Sequence, residues 1–397
     1  MVTTVPVTGY AYPWDVLDAP GFLDRAAEIG VDEVAVALSY HTTRAATPWS
    51  PNRTSVLARH AALYRPVRDW AWGSLDQTRL RPGTPDWTGR DDPGGDAVRA
   101  LREAGMDAAG WVVLTHNSRL GEANPDVCVR NCFDEPYPWA LCPSSAEVRQ
   151  FAATLAEEAV DGLELSSLVL EACGQLGAVH QCHHEKTDAV WSPAAARLLS
   201  VCCCAACAGR WTEAGAEPER ITDELRRAVR SLIVHGDSGM TEDPLEEELA
   251  GLLLATRQAA TDELRGAVLA AVAGSGARVV LHGAVDPWVT GALPGLTPAA
   301  AGDVDAVVLP CWQAGAATVD AVGAARERLP GAVRVGAYIT AVAANPVPDI
   351  AGYVTELGKA GADELHLYHL GLAGPARWAD MRAAATAARY LPAASHT

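Results

Sequence analysis

Short apolar runs alternate with alanine-rich stretches of helical spacing along most of the chain. "VPVTGYAY" opens the pattern, and "GFLDRAAEIG" follows as a helix with a glycine stop. "VDEVAVALSYH" reads as a second strand, "DAAGWVVLTHN" as a third and "DGLELSSLVLE" as a fourth. The helical patterns "GGDAVRALREAG" and "SAEVRQFAATLAEEAV" separate these last three. The alternation resumes with "ARVVLHG", "VDAVVLPCW", "AVRVGAYIT" and "DELHLYHLG", and the helix "ARWADMRAAATAARYL" closes it. Strands that are apolar on both faces and separated by helices form parallel sheets. Eight such units predict an α/β fold, a (β/α)8 TIM barrel, with long insertions after strands two and four. An open doubly wound sheet is the alternative. Against it, "GYAYPWD" lacks the later glycines of a dinucleotide-binding turn. One barrel domain is expected over residues 1–397, with a mostly helical inserted segment over residues 172–276.

Composition narrows the partners. The formal net charge is −18 and no block of Lys or Arg occurs, which argues against nucleic acid and anionic membranes. No apolar run approaches the roughly 18 residues of a membrane span. The N-terminus has neither the basic nor the apolar region of a secretory signal, so a cytoplasmic location is expected. Thiols stay reduced there. The 10 cysteines then point to metal ligation or burial and not to disulfides.

The densest group is "SVCCCAACAG", with Cys202, Cys203, Cys204 and Cys207. The C-x-C-x-x-C spacing lets three thiolates grip one tetrahedral zinc. The fourth ligand must come from elsewhere. Cys142 in "WALCPSSAEVRQF" is one candidate; Cys128, Cys132, Cys173, Cys182 and His235 are the others.

Chemistry in such a barrel is built at the C-terminal ends of the strands. Those ends supply Tyr10, Tyr12, Trp14 and Asp15, then Ser39, Tyr40 and His41, then His116 and Asn117. Glu171 closes the fourth strand. The later ends bring His282, Asp286, Trp288, Cys311, Trp312, Tyr338, Tyr368 and His369. The chain has 12 Trp against 3 Phe, and indoles stack on sugar rings while their N–H groups donate to hydroxyls. A neutral, hydroxyl-rich small molecule suits this rim. "HQCHHEKTD" in the long loop after strand four adds His183, His184, Glu185 and Lys186 as candidate substrate contacts.

The stretch "LCPSSAEVRQF", followed by C-x-C-x-x-C, resembles the family 42 glycoside hydrolases, mostly β-galactosidases on a (β/α)8 barrel. The resemblance covers about residues 140 to 210. It implies a structural zinc held by Cys142, Cys202, Cys204 and Cys207, with Cys203 standing where the family has an aromatic. It also implies a general acid/base glutamate at the end of strand four. Glu171 matches in position and order, although "LEACG" lacks the flanking Asn and Tyr of the family's motif. In that role its pKa is expected to be raised by partial desolvation. The family takes its nucleophile from the end of strand seven, but "VRVGAYITAVAANP" has no acidic residue there. Asp286 and Asp15 are the substitutes. The expected function is therefore a glycoside hydrolase. A barrel isomerase or lyase acting on a sugar-like molecule, or a sugar-binding barrel without turnover, are the alternatives. A second family that joins a barrel to C-x-C-x-x-C, the tRNA-guanine transglycosylases, acts on a polyanion that the net charge disfavours.

Overall fold

The computed structural model describes residues 5–73, 78–179, 190–235, 240–241, 244–343 and 346–391. Eight parallel strands close on themselves: β1 (Val7–Ala11), β2 (Glu33–Tyr40), β3 (Asp107–Val113), β4 (Ser167–Glu171), β5 (Arg278–His282), β6 (Ala306–Pro310), β7 (Arg334–Thr340) and β8 (Glu364–Tyr368). Closure runs through β1, which pairs with β8 in the register Val7↔Leu365 and with β2 in the register Thr8↔Glu33. The eight strands are the eight apolar runs expected from the sequence.

The strand pleat divides the apolar residues between two cores. On β2, Val34, Val36 and Leu38 join the core between barrel and helices. Ala35 and Ala37 join the interior core with Tyr10, Trp111 and Tyr338. Small side chains on one strand thus leave room for rings from its neighbours.

The helices are stopped and started by local chemistry. α1 (Phe22–Ile29) ends at Gly30, whose φ of 79° and N–H bonds to Ala26 and Ala27 close the last turn. In α2 (Pro93–Glu103), the Asp92 carboxylate accepts from the Gly95 N–H at 3.0 Å and Pro93 sits in the first turn. Ser145 caps α3 (Ala146–Val160) in the same way.

The long connections fall after β2 and β4. The first carries a hairpin of Thr43–Ala46 and Ser55–Ala58, and Ala62–Leu63 pairs antiparallel with the end of β2. The second contains α4 (Pro193–Leu199), α5 (Ala205–Glu213) and α6 (Pro218–His235). It ends in α7 (Glu247–Val272), which packs along α3 against the barrel. After β3, the strands Cys128–Arg130 and Pro136–Leu141 form a second hairpin that delivers Cys142 to the inserted segment. α8 (Ala316–Arg328), α9 (Ile350–Lys359) and α10 (Pro375–Arg389) complete the outer ring. No helix among the described residues is long and apolar enough to cross a membrane.

Candidate functional site

Two sites emerge, one at the barrel mouth and one in the insertion. The mouth is organised around Glu171, the last residue of β4, which is buried. Its Oε2 accepts a 2.8 Å hydrogen bond from the Trp111 indole and lies 3.4 Å from Nδ1 of His282. Ala172 follows immediately with φ of 52°, a left-handed conformation costly for a non-glycine residue. Its N–H is tied to the Ala292 carbonyl at 2.8 Å, so the chain turns sharply just after the carboxylate.

Aromatic rings surround this carboxylate. Tyr12 meets Tyr40 edge-on at 5.1 Å, Tyr40 meets Trp111 at 4.7 Å, and His369 lies 4.4 Å from Tyr12. Tyr338 sits 4.9 Å from the His282 ring and 5.7 Å from Trp312. Trp312 is 42% exposed and 5.4 Å from Tyr368, which gives the rim an accessible indole face. His41 stacks on Tyr40 and on His116 at 4.3 and 4.2 Å. The Tyr338 hydroxyl, Nδ1 of His282 and Nε2 of His369 are buried with no hydrogen-bond partner among the described residues.

Electrostatics differ from the sequence expectation. Burial pushes the Glu171 carboxyl up, but the hydrogen bonding and charge of His282, then His41 and the Trp111 N–H, outweigh it and hold it below the usual carboxylate range. The raised pKa expected from desolvation is therefore not what this environment produces. Burial pushes His282 and His41 down, and His369 down to about 3. Burial thus biases these imidazoles toward their neutral forms, while their proximity biases Glu171 toward its carboxylate form.

The other predicted residues divide by position. Asp15 is buried; its Oδ2 accepts from the Tyr12 N–H at 2.9 Å and lies 3.8 Å from Nδ1 of His369. Burial, as the largest cause, raises its pKa to about 7. A Cβ at Gly371 would lie 2.0 Å from the Asp15 carboxyl carbon, so this close approach requires glycine. Asp286 is exposed and accepts from the Trp288 N–H at 2.9 Å. Trp288 lines a narrow cleft with Ser144, Cys202, Cys207 and Arg257, and Glu171 is not part of its lining. Trp14 is buried and stacks on Tyr12 at 4.5 Å. The Asn117 side chain accepts from the Leu120 N–H at 3.1 Å and caps the helix Ser118–Ala123. His183, His184, Glu185 and Lys186 lie outside the described residues.

Sequence reading passed over Trp111, which supplies the direct hydrogen bond to Glu171, and His366 and Glu364, which sit below it. Trp111 is hidden in an apolar run. The alternation of Glu364, His366 and Tyr368 with leucines in β8 is a period-two signal that places all three on one strand face.

At the insertion, Cys142 from the β3 hairpin joins Cys202, Cys204 and Cys207; all four are buried, and their sulfurs lie within 4.8 Å of one another. Sγ of Cys142 is 3.6, 3.6 and 3.7 Å from those of Cys207, Cys202 and Cys204. A tetrahedral ion with metal–sulfur bonds of about 2.3 Å spaces its ligands by roughly 3.8 Å. The donor set therefore fits such an ion. Thiol hydrogen bonds from Cys142, Cys202 and Cys207 draw the Cys204 thiol strongly down, while burial pushes Cys202 up. The Arg130 N–H points at the Cys202 sulfur at 3.4 Å, an outer contact that suits a metal-bound thiolate. Cys203 stands outside the group, bonded through its N–H to the Arg130 carbonyl.

The fold is a (β/α)8 barrel, and the four cysteines named by the family 42 resemblance come together in it. No family model matches the sequence, and no curated protein matches it. Among solved structures, the chain is similar to the glycoside hydrolase domain of PgaB (BpsB) from Bordetella bronchiseptica, at 14% identity and a TM-score of 0.57, over 98% of this chain and 99% of that one. It is similar to α-L-fucosidase isoenzyme 2 from Paenibacillus thiaminolyticus at 11% identity and a TM-score of 0.55, over 97% of this chain and 49% of the fucosidase. A catalytic mutant of Gan42B, a GH42 β-galactosidase from G. stearothermophilus, matches at 11% identity and a TM-score of 0.56, over 97% of this chain and 56% of that one. The chain thus spans about half the length of the last two proteins. At these identities the likeness is one of fold.

Proposed function

We propose that this chain is a carbohydrate-active hydrolase in which Glu171 serves as general acid/base on a glycosidic bond. The observation that carries the reading is Glu171 itself: a buried carboxylate ending β4, fixed by Trp111 and His282 beneath a ring of tyrosines and the exposed face of Trp312. Barrels build their chemistry at this end, and aromatic faces with free hydroxyl and imidazole groups suit a sugar ring. Asp286, exposed beyond β5, is the second carboxylate of this reading and would activate water or attack the anomeric carbon. Asp15 is the alternative, although its Oδ2 is committed to the Tyr12 N–H. The cysteine group would hold one zinc; four thiolates close its coordination, so it would stabilise the insertion and take no part in the reaction. Reduced thiols and a cytoplasmic location agree with that role.

One observation favours sugar binding without turnover: the end of β7, where the family 42 resemblance expects a nucleophile, carries Tyr338, Ile339 and Thr340 and no acid. A panel of nitrophenyl glycosides decides between the two. Release of nitrophenol that falls by about 10²–10⁴ in Glu171→Gln supports hydrolysis. Tryptophan quenching by sugars with no release from any member supports binding alone.

A further inference from the structure

Beneath Glu171, a row of polar side chains runs down the barrel interior. His282 lies 3.4 Å from Glu171 through Nδ1, and its Nε2 is 2.8 Å from the Tyr10 hydroxyl. That hydroxyl is 3.1 Å from Nδ1 of His366, whose Nε2 is 3.4 Å from Oε2 of Glu364. Glu364, the first residue of β8, is held at the opposite end of the barrel by Arg278 at 2.6 Å and Arg334 at 3.4 Å. All five members of the row are buried. Gly336 on β7 leaves the space that the His366 ring fills, since a Cβ there would lie 2.8 Å from it.

We propose that Glu171, His282, Tyr10, His366 and Glu364 form a proton relay along the barrel axis, storing on His366 the proton that Glu171 needs to act as an acid. The proposal rests on the general-acid reading of Glu171. It follows from the proton count at Tyr10. A phenol has one proton, so between two imidazole nitrogens it donates to one and accepts from the other. Two arrangements place one proton on each link of the row, the step from Nδ1 of His282 to Glu171 being a 3.4 Å contact that is not a formed hydrogen bond in the resting geometry. In the first, Tyr10 donates to Nε2 of His282, whose Nδ1 proton faces the Glu171 carboxylate. His366 then carries protons on both nitrogens, one toward Tyr10 and one toward Glu364. In the second, Nδ1 of His366 gives its proton to the Tyr10 oxygen, the phenolic proton passes to Nε2 of His282, and the Nδ1 proton of His282 passes to Glu171.

The two arrangements contain the same number of protons and the same net charge. A carboxylate and an imidazolium become a carboxylic acid and a neutral imidazole, and Glu364 keeps its negative charge beside the two arginines. Other ionisable groups face the row from several strands. Glu33 acts on Tyr10 from β2, Tyr40 at the end of β2 and His41 just beyond it act on Glu171, Tyr368 acts on Glu171 from β8, and Tyr338 packs on Tyr10 and His282 from β7. β6 contributes the apolar Val308 to the interior. His282, Tyr10, His366 and Glu364 are positioning residues: they act on substrate only through Glu171.

The test reads tautomers and does not require turnover. In ¹⁵N-histidine spectra of the full chain at neutral pH, Nδ1 of both His282 and His366 should be protonated. Glu171→Ala removes the acceptor of the His282 proton. That proton should move to Nε2, which forces Tyr10 to donate to His366 and shifts Nδ1 of His366 from the pyrrole-type to the pyridine-type range. In the Tyr10→Phe background, Glu171→Ala should leave His366 unchanged; His282→Asn should give the same insulation and serves if Tyr10→Phe does not fold. A His366 resonance blind to Glu171→Ala, or one that responds equally in either broken background, overturns the relay. Such a failure leaves the hydrolase reading standing, whereas a silent glycoside panel with coupled histidines would overturn that reading alone.

Discussion

Two substitutions read the interior of the mouth directly. Asp15 carries an ordinary pKa of 3.8 and a folded value of about 7, burial being the main cause. Between those values the folded chain keeps a proton that the unfolded chain has released, so stability falls as pH rises through this window and is flat above it. Asp15→Asn keeps an acceptor for the Tyr12 N–H and removes the titration. Its Tm should match the parent near pH 4 and exceed it at pH 8, by a stabilisation on the order of 2–4 kcal/mol. Melting curves that run parallel across the window would contradict a buried, protonated Asp15. Gly336→Ala places a Cβ 2.8 Å from the His366 ring. Denaturant titration should show a loss of about 1–3 kcal/mol, as for other overpacked cores; a neutral change would mean that the ring is not confined. These residues also mark where the sequence ran out. Glu171 was legible because it ends a strand, and strand ends make chemistry. Its direct partner Trp111 was not, because an indole in an apolar run reads as core. The direction of the Glu171 pKa was missed because desolvation can be inferred from one residue, whereas His282 becomes its neighbour only through the pairing of β4 and β5.

At the level of elements, the inserted segment and its cysteines behave as one unit. Cys204 occupies the N-cap position of α5 and Cys207 lies in its first turn, while the hairpin after β3 brings Cys142 to them. Three of these four cysteines were legible from spacing, because C-x-C-x-x-C is local. The fourth was fixed only by resemblance, since hairpin geometry and not sequence distance brings Cys142 within 3.7 Å of the others. Metal analysis should find about one zinc per chain. Cys204→Ser should lose it, lower Tm by at least about 5 °C, and expose α4–α6 to proteolysis before the barrel. Substoichiometric metal in the parent protein, or a stable variant that is selectively inactive, would contradict a structural zinc.

Across the whole molecule, the alternation of apolar strands and helices was enough to give the closed barrel, because each unit is locally patterned and eight of them close. The second carboxylate was not legible. It would lie on a connecting loop, where no periodicity fixes direction, and the strand-seven position that family resemblance points to is empty of acids. The account therefore stands on Glu171 as a proton donor to a leaving group. The most direct measurement compares the parent protein with Glu171→Gln on glycosides of increasing leaving-group acidity. A general acid is needed for a poor leaving group and dispensable for a dinitrophenolate. We expect the variant to lose about 10²–10⁴ in kcat/KM on phenyl or alkyl glycosides and to retain most activity on dinitrophenyl glycosides. An equal loss on both, or none on either, would contradict the assignment of Glu171 as the acid.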